Sequence, residues 1–140
     1  CITANKIALG NSTGEIEILV TEEGNSSNAV LSFNDDEFNA GRKKEMIPMT
    51  TVDNYMVENS LTRCDFIKID IEGAELMCFK GATKLLGSAN PPIIIMECYE
   101  PLCKQFNYTV FELLLLLNEF GYTFEHYDNF QWLAIPSKKN

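Results

Sequence analysis

Hydrophobic and polar residues alternate in the first part of the chain. Apolar residues are interspersed with polar ones over residues 2–9 and recur at every second position over residues 15–20, and a polar turn at residues 10–14 separates the two segments. Such alternation is typical of strands with one buried face, so the pattern predicts a strand, a turn and a second strand. Residues 21–44 are polar and predict a long loop, either functional or disordered.

Strands and helices are predicted to alternate through the middle of the chain. Two continuous apolar segments are typical of strands buried on both faces, and apolar residues at helical spacing predict a helix between them. Thr50 or Thr51 is suited to cap an earlier helix. The predicted elements of this part are a strand at residues 46–49, a helix that ends near residue 58, a strand at 65–71, a helix at 74–86 and a strand at 93–96.

The last part of the chain predicts a helix followed by a β-hairpin. Thr109 is suited to cap a leucine-rich helix over residues 110–120, and Gly121 is suited to end it. Residues 122–126 and 132–135 then predict two strands joined by a turn. The order of elements predicts an α/β fold with a mostly parallel sheet and an antiparallel strand at the C-terminal end.

Length and charge narrow the possible functions. With 140 residues, of which 46% are hydrophobic, residues 1–140 can bury one core and are taken as one domain or part of one. The formal net charge of -9 would repel nucleic-acid phosphates, so nucleic acid is not an expected partner. The longest apolar run, residues 113–117, is too short for a membrane segment.

Five cysteines are present, and Cys64, Cys78 and Cys98 lie in or beside apolar segments. We interpret these three as reduced thiols packed in the core, which favours a cytoplasmic location. No pair of cysteines has the spacing of zinc ligands, and the chain has a single histidine, His126. Any metal site would therefore have to be built from carboxylates.

Acidic residues follow both predicted buried strands. Side chains alternate between the faces of a strand, so Lys68 and Asp70, with Glu72 beyond them, are expected on one face, and Glu97 closes the next strand. Ligands of open parallel sheets bind beyond the carboxyl ends of the strands. Two interpretations stay open: the charges pair with each other and with the helix dipole, or they line a pocket. A divalent cation held by the three carboxylates is a less favoured alternative.

Three segments of the chain resemble the signature of the FkbM family of methyltransferases. They are DFIKIDIEGAE at residues 65–75, FKGA at residues 79–82 and PIIIME at residues 92–97. Weaker likenesses occur at residues 7–14, 51–53 and 120–122. The resemblance thus covers nearly the whole chain, and its central motif is far more specific than a glycine pattern alone.

The resemblance implies a Rossmann-like class I methyltransferase fold with S-adenosylmethionine (SAM) as the cofactor. It also implies O-methylation of a hydroxyl on a sugar or a small natural-product-like acceptor. On the same grounds, Asp70 would be catalytic and lie nearest the cofactor, and Glu72 would act as the base or bind the acceptor hydroxyl. Ala8 and Leu9 would border the adenine, and Glu97 would bind the acceptor.

The chain departs from the family pattern at its start. Family members carry a glycine-rich loop for the methionine part of the cofactor and an acidic residue for the ribose, and neither is found here. We expect the chain to be the C-terminal two-thirds of the domain, truncated at its N-terminus and inactive alone. One alternative is a degenerate, non-catalytic methyltransferase-like binding module. Another is metal-dependent phosphoryl chemistry, which needs phosphate-binding glycines where this site offers only Gly73.

Overall fold

Two four-stranded sheets and five short helices make up the described part of the chain. The structure is a computed structural model, and it describes residues 2–21, 30–31 and 42–137. No helix within these ranges is long and apolar enough to cross a lipid bilayer. The fold is mixed α/β, which confirms the predicted class at this coarser level.

The first sheet is built on a long antiparallel pairing. Its strands are β1 (Ala8–Leu9), β2 (Gly14–Thr21), β3 (Val30–Leu31) and β4 (Arg42–Thr50), in the order β1-β4-β2-β3. β2 and β4 pair along their whole shared length, from Gly14 opposite Met49 to Thr21 opposite Arg42. β1 joins the other edge of β4 in parallel, and it occupies only the end of the segment predicted as the first strand.

The strand predicted at residues 46–49 begins earlier, at Arg42. The basic residues at its start have no apolar pattern, and for that reason the sequence did not predict them as strand. Their backbone nevertheless pairs with β2, and Lys44 Nζ donates to Glu17 Oε1 across the pairing at 2.9 Å. A strand that is fixed by its neighbour needs little apolar pattern of its own.

The loop predicted over residues 21–44 is therefore interrupted by strand structure. The end of β2, the whole of β3 and the start of β4 lie within it. Residues 22–29 and 32–41 lie outside the described residues, so the prediction of a loop there stays a prediction.

The second sheet has the order β5-β6-β8-β7. Its strands are β5 (Phe66–Ile69), β6 (Ile93–Glu97), β7 (Tyr122–His126) and β8 (Gln131–Pro136). β5 and β6 are parallel, with Ile69 opposite Met96, whereas β8 lies between β6 and β7 and is antiparallel to both. The antiparallel pairing at the C-terminal end was predicted.

A mostly parallel sheet is not confirmed, because both sheets are mixed. Of the six strand pairings in the described residues, β1–β4 and β5–β6 are parallel and the other four are antiparallel. Parallel neighbours need a crossover connection, and in the second sheet the helical segment between β5 and β6 provides one. The β7–β8 pair is a hairpin, which can only be antiparallel.

Two of the predicted helix starts are confirmed in detail. Thr51 Oγ1 accepts from Asn54 N at 3.1 Å at the start of α1 (Val52–Glu58). Thr109 and Glu112 form a reciprocal capping box at the start of α5 (Val110–Glu119). The sequence did not predict α4 (Glu100–Gln105), a short helix with proline in its first turn.

The helix predicted over residues 74–86 is divided into α2 (Glu75–Lys80) and α3 (Thr83–Leu86). Gly81 lies at the division because its backbone approaches that of Gly10 at the end of β1. A Cβ atom added at Gly81 would lie 2.0 Å from Gly10 O, so only glycine fits. The apolar side of the predicted helix is correct, since Leu76, Phe79, Ala82 and Leu86 are all buried.

Asp53 joins α1 to the helices of the second sheet. Its backbone N–H donates to Gly81 O at 3.0 Å, and its carboxylate accepts from Lys84 N at 2.9 Å and Leu85 N at 3.0 Å. These two N–H groups belong to α3, which has no side-chain cap at its own N-cap residue Ala82. Asp53 thus satisfies helix amides from a distant part of the sequence.

The main hydrophobic core lies between the second sheet and its helices. Ile94 and Met96 of β6 are fully buried there, together with Leu113 and Leu117 of α5. At the end of β7, the rings of His126 and Trp132 lie 4.3 Å apart, and Trp132 packs against this core. The continuous apolar run of β6 therefore corresponds to a core strand, but burial on both faces is not complete, since Ile93 is exposed and Ile95 is half-buried.

Replacing Gly81 with alanine is expected to lower the free energy of unfolding by about 2–3 kcal/mol or more, because the new methyl group would force two backbone segments apart. Gly87→Ala is the matched control, since its Cβ would lie 3.1 Å from the nearest atom, Thr83 O. Urea titrations followed by circular dichroism measure both variants. Equal losses in the two variants would contradict the close contact with Gly10.

Candidate functional site

A cavity of about 730 Å³ lies between the two sheets. Residues of β1, β2 and β4 line one side, and residues of α1, β5 and α2 line the other, so that Ala8 and Leu9 share the cavity with Asp70. Most of the lining is apolar. Cavities of this size, with few polar groups, are typical of sites for small organic ligands, which occupy roughly 300–1,000 Å³.

Asp70 is the first residue after β5 and is one of the charged residues that line this cavity. Lys68 Nζ donates to Asp70 Oδ2 at 3.0 Å, as one of the two sequence interpretations requires. Both residues also line the cavity, so the other interpretation, a pocket, is compatible with the same pair. The Asp70 side chain is 40% exposed, and the pair is therefore accessible to a ligand.

The other two predicted carboxylates do not line the cavity. Glu72 lies in the turn after β5 and is half-buried, and Glu97 is half-buried at the end of β6. Glu97 lies one residue beyond Met96, the partner of Ile69, so it is at the same edge of the sheet as Asp70. In the described ranges, no group of three or more histidines, cysteines, aspartates or glutamates is arranged so that it could hold a metal ion.

The turn from β5 to α2 has an unusual backbone. Glu72 has φ 56° and Gly73 has φ 99°, so two consecutive residues lie in the left-handed region. For glutamate this conformation costs about 1 kcal/mol or more. A Cβ at Gly73 would lie 2.7 Å from Leu102 O of α4, so the turn also packs tightly on its outer side.

Glu75, in the first turn of α2, is buried beneath this turn and is only 1% exposed. Its Oε1 accepts from Ile71 N at 3.1 Å and from Gly73 N at 3.3 Å. The hydroxyl of Tyr108 lies 3.1 Å from Glu75 Oε2 and 2.8 Å from Gly73 O, so its single proton can be donated to either oxygen. A buried carboxylate is tolerated only with such hydrogen bonds.

Sequence reasoning missed this contact. Glu75 is part of the family-like motif, but a glutamate in the first turn of a helix is ordinarily explained by the helix dipole. Tyr108 precedes the capping residue Thr109, and nothing in the local pattern connects it to a residue 33 positions earlier. The available signal was the position of Glu75, an acidic residue four positions before Phe79 and therefore on the apolar face of the predicted helix.

Three thiols surround the same buried carboxylate. Burial, with the negative charge of Glu75 added, raises the pKa of the Cys78 thiol to about 12 and raises the pKa of Cys98 in the same direction. Cys103 is buried too, and burial raises its pKa. The interpretation as core thiols is confirmed for Cys78 and Cys98, whereas Cys64 is only half-buried.

Comparison with known proteins gives one match. The family model described as the methyltransferase FkbM domain matches residues 1–124 of the 140-residue chain. Neither a curated protein nor a solved structure matches the chain.

The buried thiols are expected to resist modification in the folded protein. With its pKa raised to about 12, Cys78 is ionised roughly 1,000-fold less often at pH 8 than an ordinary cysteine, and its burial excludes the reagent as well. Reaction with an aromatic disulfide reagent, followed by mass spectrometry, measures each site. Cys64 should react first among the described cysteines, and all should react in denaturant. Rapid modification of Cys78 or Cys98 without unfolding would contradict their placement.

Proposed function

Because the chain belongs to the FkbM family of methyltransferases, we propose that it takes part in SAM-dependent O-methylation of a hydroxyl on a sugar or a small natural-product-like acceptor. The observation that carries the proposal is the cavity between the sheets. It brings Ala8 and Leu9 to Asp70, more than sixty residues later in the chain. These are the three residues that the family resemblance assigns to the cofactor.

The residues present fit part of the cofactor. SAM has a flat adenine ring and a positively charged sulfur, and the cavity offers an apolar wall at Ala8 and Leu9 and a carboxylate at Asp70. The negative charge of Asp70 favours a cationic ligand, although Lys68 partly neutralises it. We assign Asp70, Ala8 and Leu9 to the cofactor on this basis.

The second sheet supports a Rossmann-like assignment. β5 and β6 are parallel and joined by a helical crossover, and their carboxyl ends meet at one edge of the sheet. Ligands of such folds bind at that edge, beyond the strand ends. Asp70 directly follows β5 and Glu97 is the last residue of β6, so both lie at the edge where such folds bind ligands.

The proposed chemistry needs a base and an oriented acceptor. When bound, SAM supplies the methyl group: its carbon–sulfur bond breaks as the acceptor oxygen bonds to the methyl carbon, and the bonding electrons remain on sulfur. Glu72 would take up the proton of the acceptor hydroxyl, and Glu97 would orient the acceptor from the next strand. Orientation and proton removal are the two main contributions that protein groups make to such a transfer.

Substitutions of the two carboxylates separate their roles. In the protein as its gene encodes it, Glu72→Gln is expected to lower kcat by about 100-fold or more, with SAM affinity changed only slightly, because a base acts on the acceptor. Asp70→Asn is expected to weaken SAM binding by about tenfold, since it removes a charge beside the sulfonium. Calorimetry with SAM and methyl transfer to a panel of methyl glycosides and simple polyols measure both effects.

Glu125→Gln is the control, because Glu125 is exposed on β7 and has no assigned role. It should retain the parent values. Unchanged turnover in Glu72→Gln would reject the base. Absence of SAM binding in the parent protein would reject the proposed cofactor and favour a non-catalytic binding module.

A further inference from the structure

The turn at residues 71–73 must be held in place by groups outside it. Both Glu72 and Gly73 have positive φ, a backbone conformation that is costly for a glutamate. Asp70, immediately before the turn, lines the cavity, and Glu72 lies within the turn. The positions of both proposed functional carboxylates therefore depend on whatever stabilises this backbone.

The Glu75 carboxylate stabilises it from beneath. Two N–H groups of the turn, those of Ile71 and Gly73, converge on the single oxygen Oε1. This convergence of two N–H groups occurs together with the positive φ of Glu72, the residue between them. The two hydrogen bonds thus stabilise one conformation of the turn, in addition to joining α2 to the end of β5.

Tyr108 fixes both the carboxylate and the turn. Its hydroxyl is within hydrogen-bond distance of Glu75 Oε2 and of Gly73 O, and the side chain is buried beside α5. The backbone N–H of Tyr108 donates to Cys103 O at 3.3 Å, and the capping box of α5 follows directly at Thr109. The phenol is therefore anchored in the core independently of the turn that it contacts.

We propose that Glu75 and Tyr108 are positioning residues, which hold the turn at residues 71–73 and thereby fix Asp70 at the cavity and Glu72 in the turn that follows it. The arrangement stabilises one turn conformation although it buries a carboxylate, which is unfavourable and which ordinary helix packing does not require. The inference rests on the proposed function only for what Asp70 and Glu72 do, and not for how they are held.

The chain offers a matched control for Tyr108. The hydroxyl of Tyr122 donates to the backbone oxygen of Pro92 at 2.8 Å, the same distance as from Tyr108 to Gly73 O, and both tyrosines are buried. Pro92 precedes β6 and so lies at the opposite edge of the sheet from the turn. Tyr108→Phe and Tyr122→Phe each remove one buried hydroxyl, and Tyr108→Phe should lower the thermal midpoint further, because its hydroxyl also contacts the buried carboxylate of Glu75.

The two variants should differ at the turn. In amide hydrogen exchange and nitrogen–proton correlation spectra, Tyr108→Phe is expected to shift the Ile71 and Gly73 amides and to speed their exchange by about fivefold or more, as the loss of one hydrogen bond implies. Tyr122→Phe should leave both amides unchanged. Equal effects of the two variants on these amides would overturn the proposal.

The functional readout uses S-adenosylhomocysteine, the demethylated product of SAM, as the probe in the gene-encoded protein. Tyr108→Phe should weaken its binding by about tenfold, since small displacements of a binding group are costly, whereas Tyr122→Phe should not.

Glu75→Gln keeps an oxygen that can accept from the turn, and so its effect should be smaller than that of Glu75→Leu. If Glu75→Gln weakened probe binding as much as Glu75→Leu does, this would contradict the hydrogen bonds from these N–H groups to the residue 75 side chain. If the parent protein does not bind the probe, the proposed function fails, and the amide measurements still decide the positioning role.

Discussion

The close contact between the Gly81 and Gly10 backbones is the constraint on which the rest of the structure depends. No strand pairing joins the two sheets within the described residues. They are held at a fixed separation by this contact and by the hydrogen bonds of Asp53 to Gly81, Lys84 and Leu85. Because the cavity lies between the sheets, its shape follows from a joint in which no side chain larger than hydrogen can be accommodated.

Acidic residues within one short segment have very different environments. Asp70 is accessible and pairs with Lys68 near the surface, where an ion pair contributes only about 0–1 kcal/mol, so a ligand could replace that partner at little cost. Glu75 is fully enclosed and satisfied by two backbone amides and a phenol. Asp70 is thus suited to exchange its partner for a ligand, whereas Glu75 keeps its partners. The difference between these two carboxylates comes from their environments.

The sequence predicted what local patterns determine. Thr51 and Thr109 have the capping contacts expected of them, and β7 has the predicted bounds because its pattern and the turn signals around it agree. It could not predict where distant segments meet. The division of the long helix arises from Gly10, and the burial of Glu75 arises from Tyr108, and neither contact leaves a periodic trace in the chain. The antiparallel pairing of β2 with β3 and β4 was missed for the same reason, since pattern alone does not identify which strands become neighbours.

The chain has a single tryptophan, and its position decides what optical spectroscopy can report. Trp132 lies on β8 against the core of the second sheet, with the imidazole of His126 beside it. Its emission therefore records the solvation of that core, whereas separation of the two sheets at the joint would leave the indole environment intact. A spectroscopist who follows only this fluorophore would observe one cooperative transition and would not detect an earlier opening of the cavity.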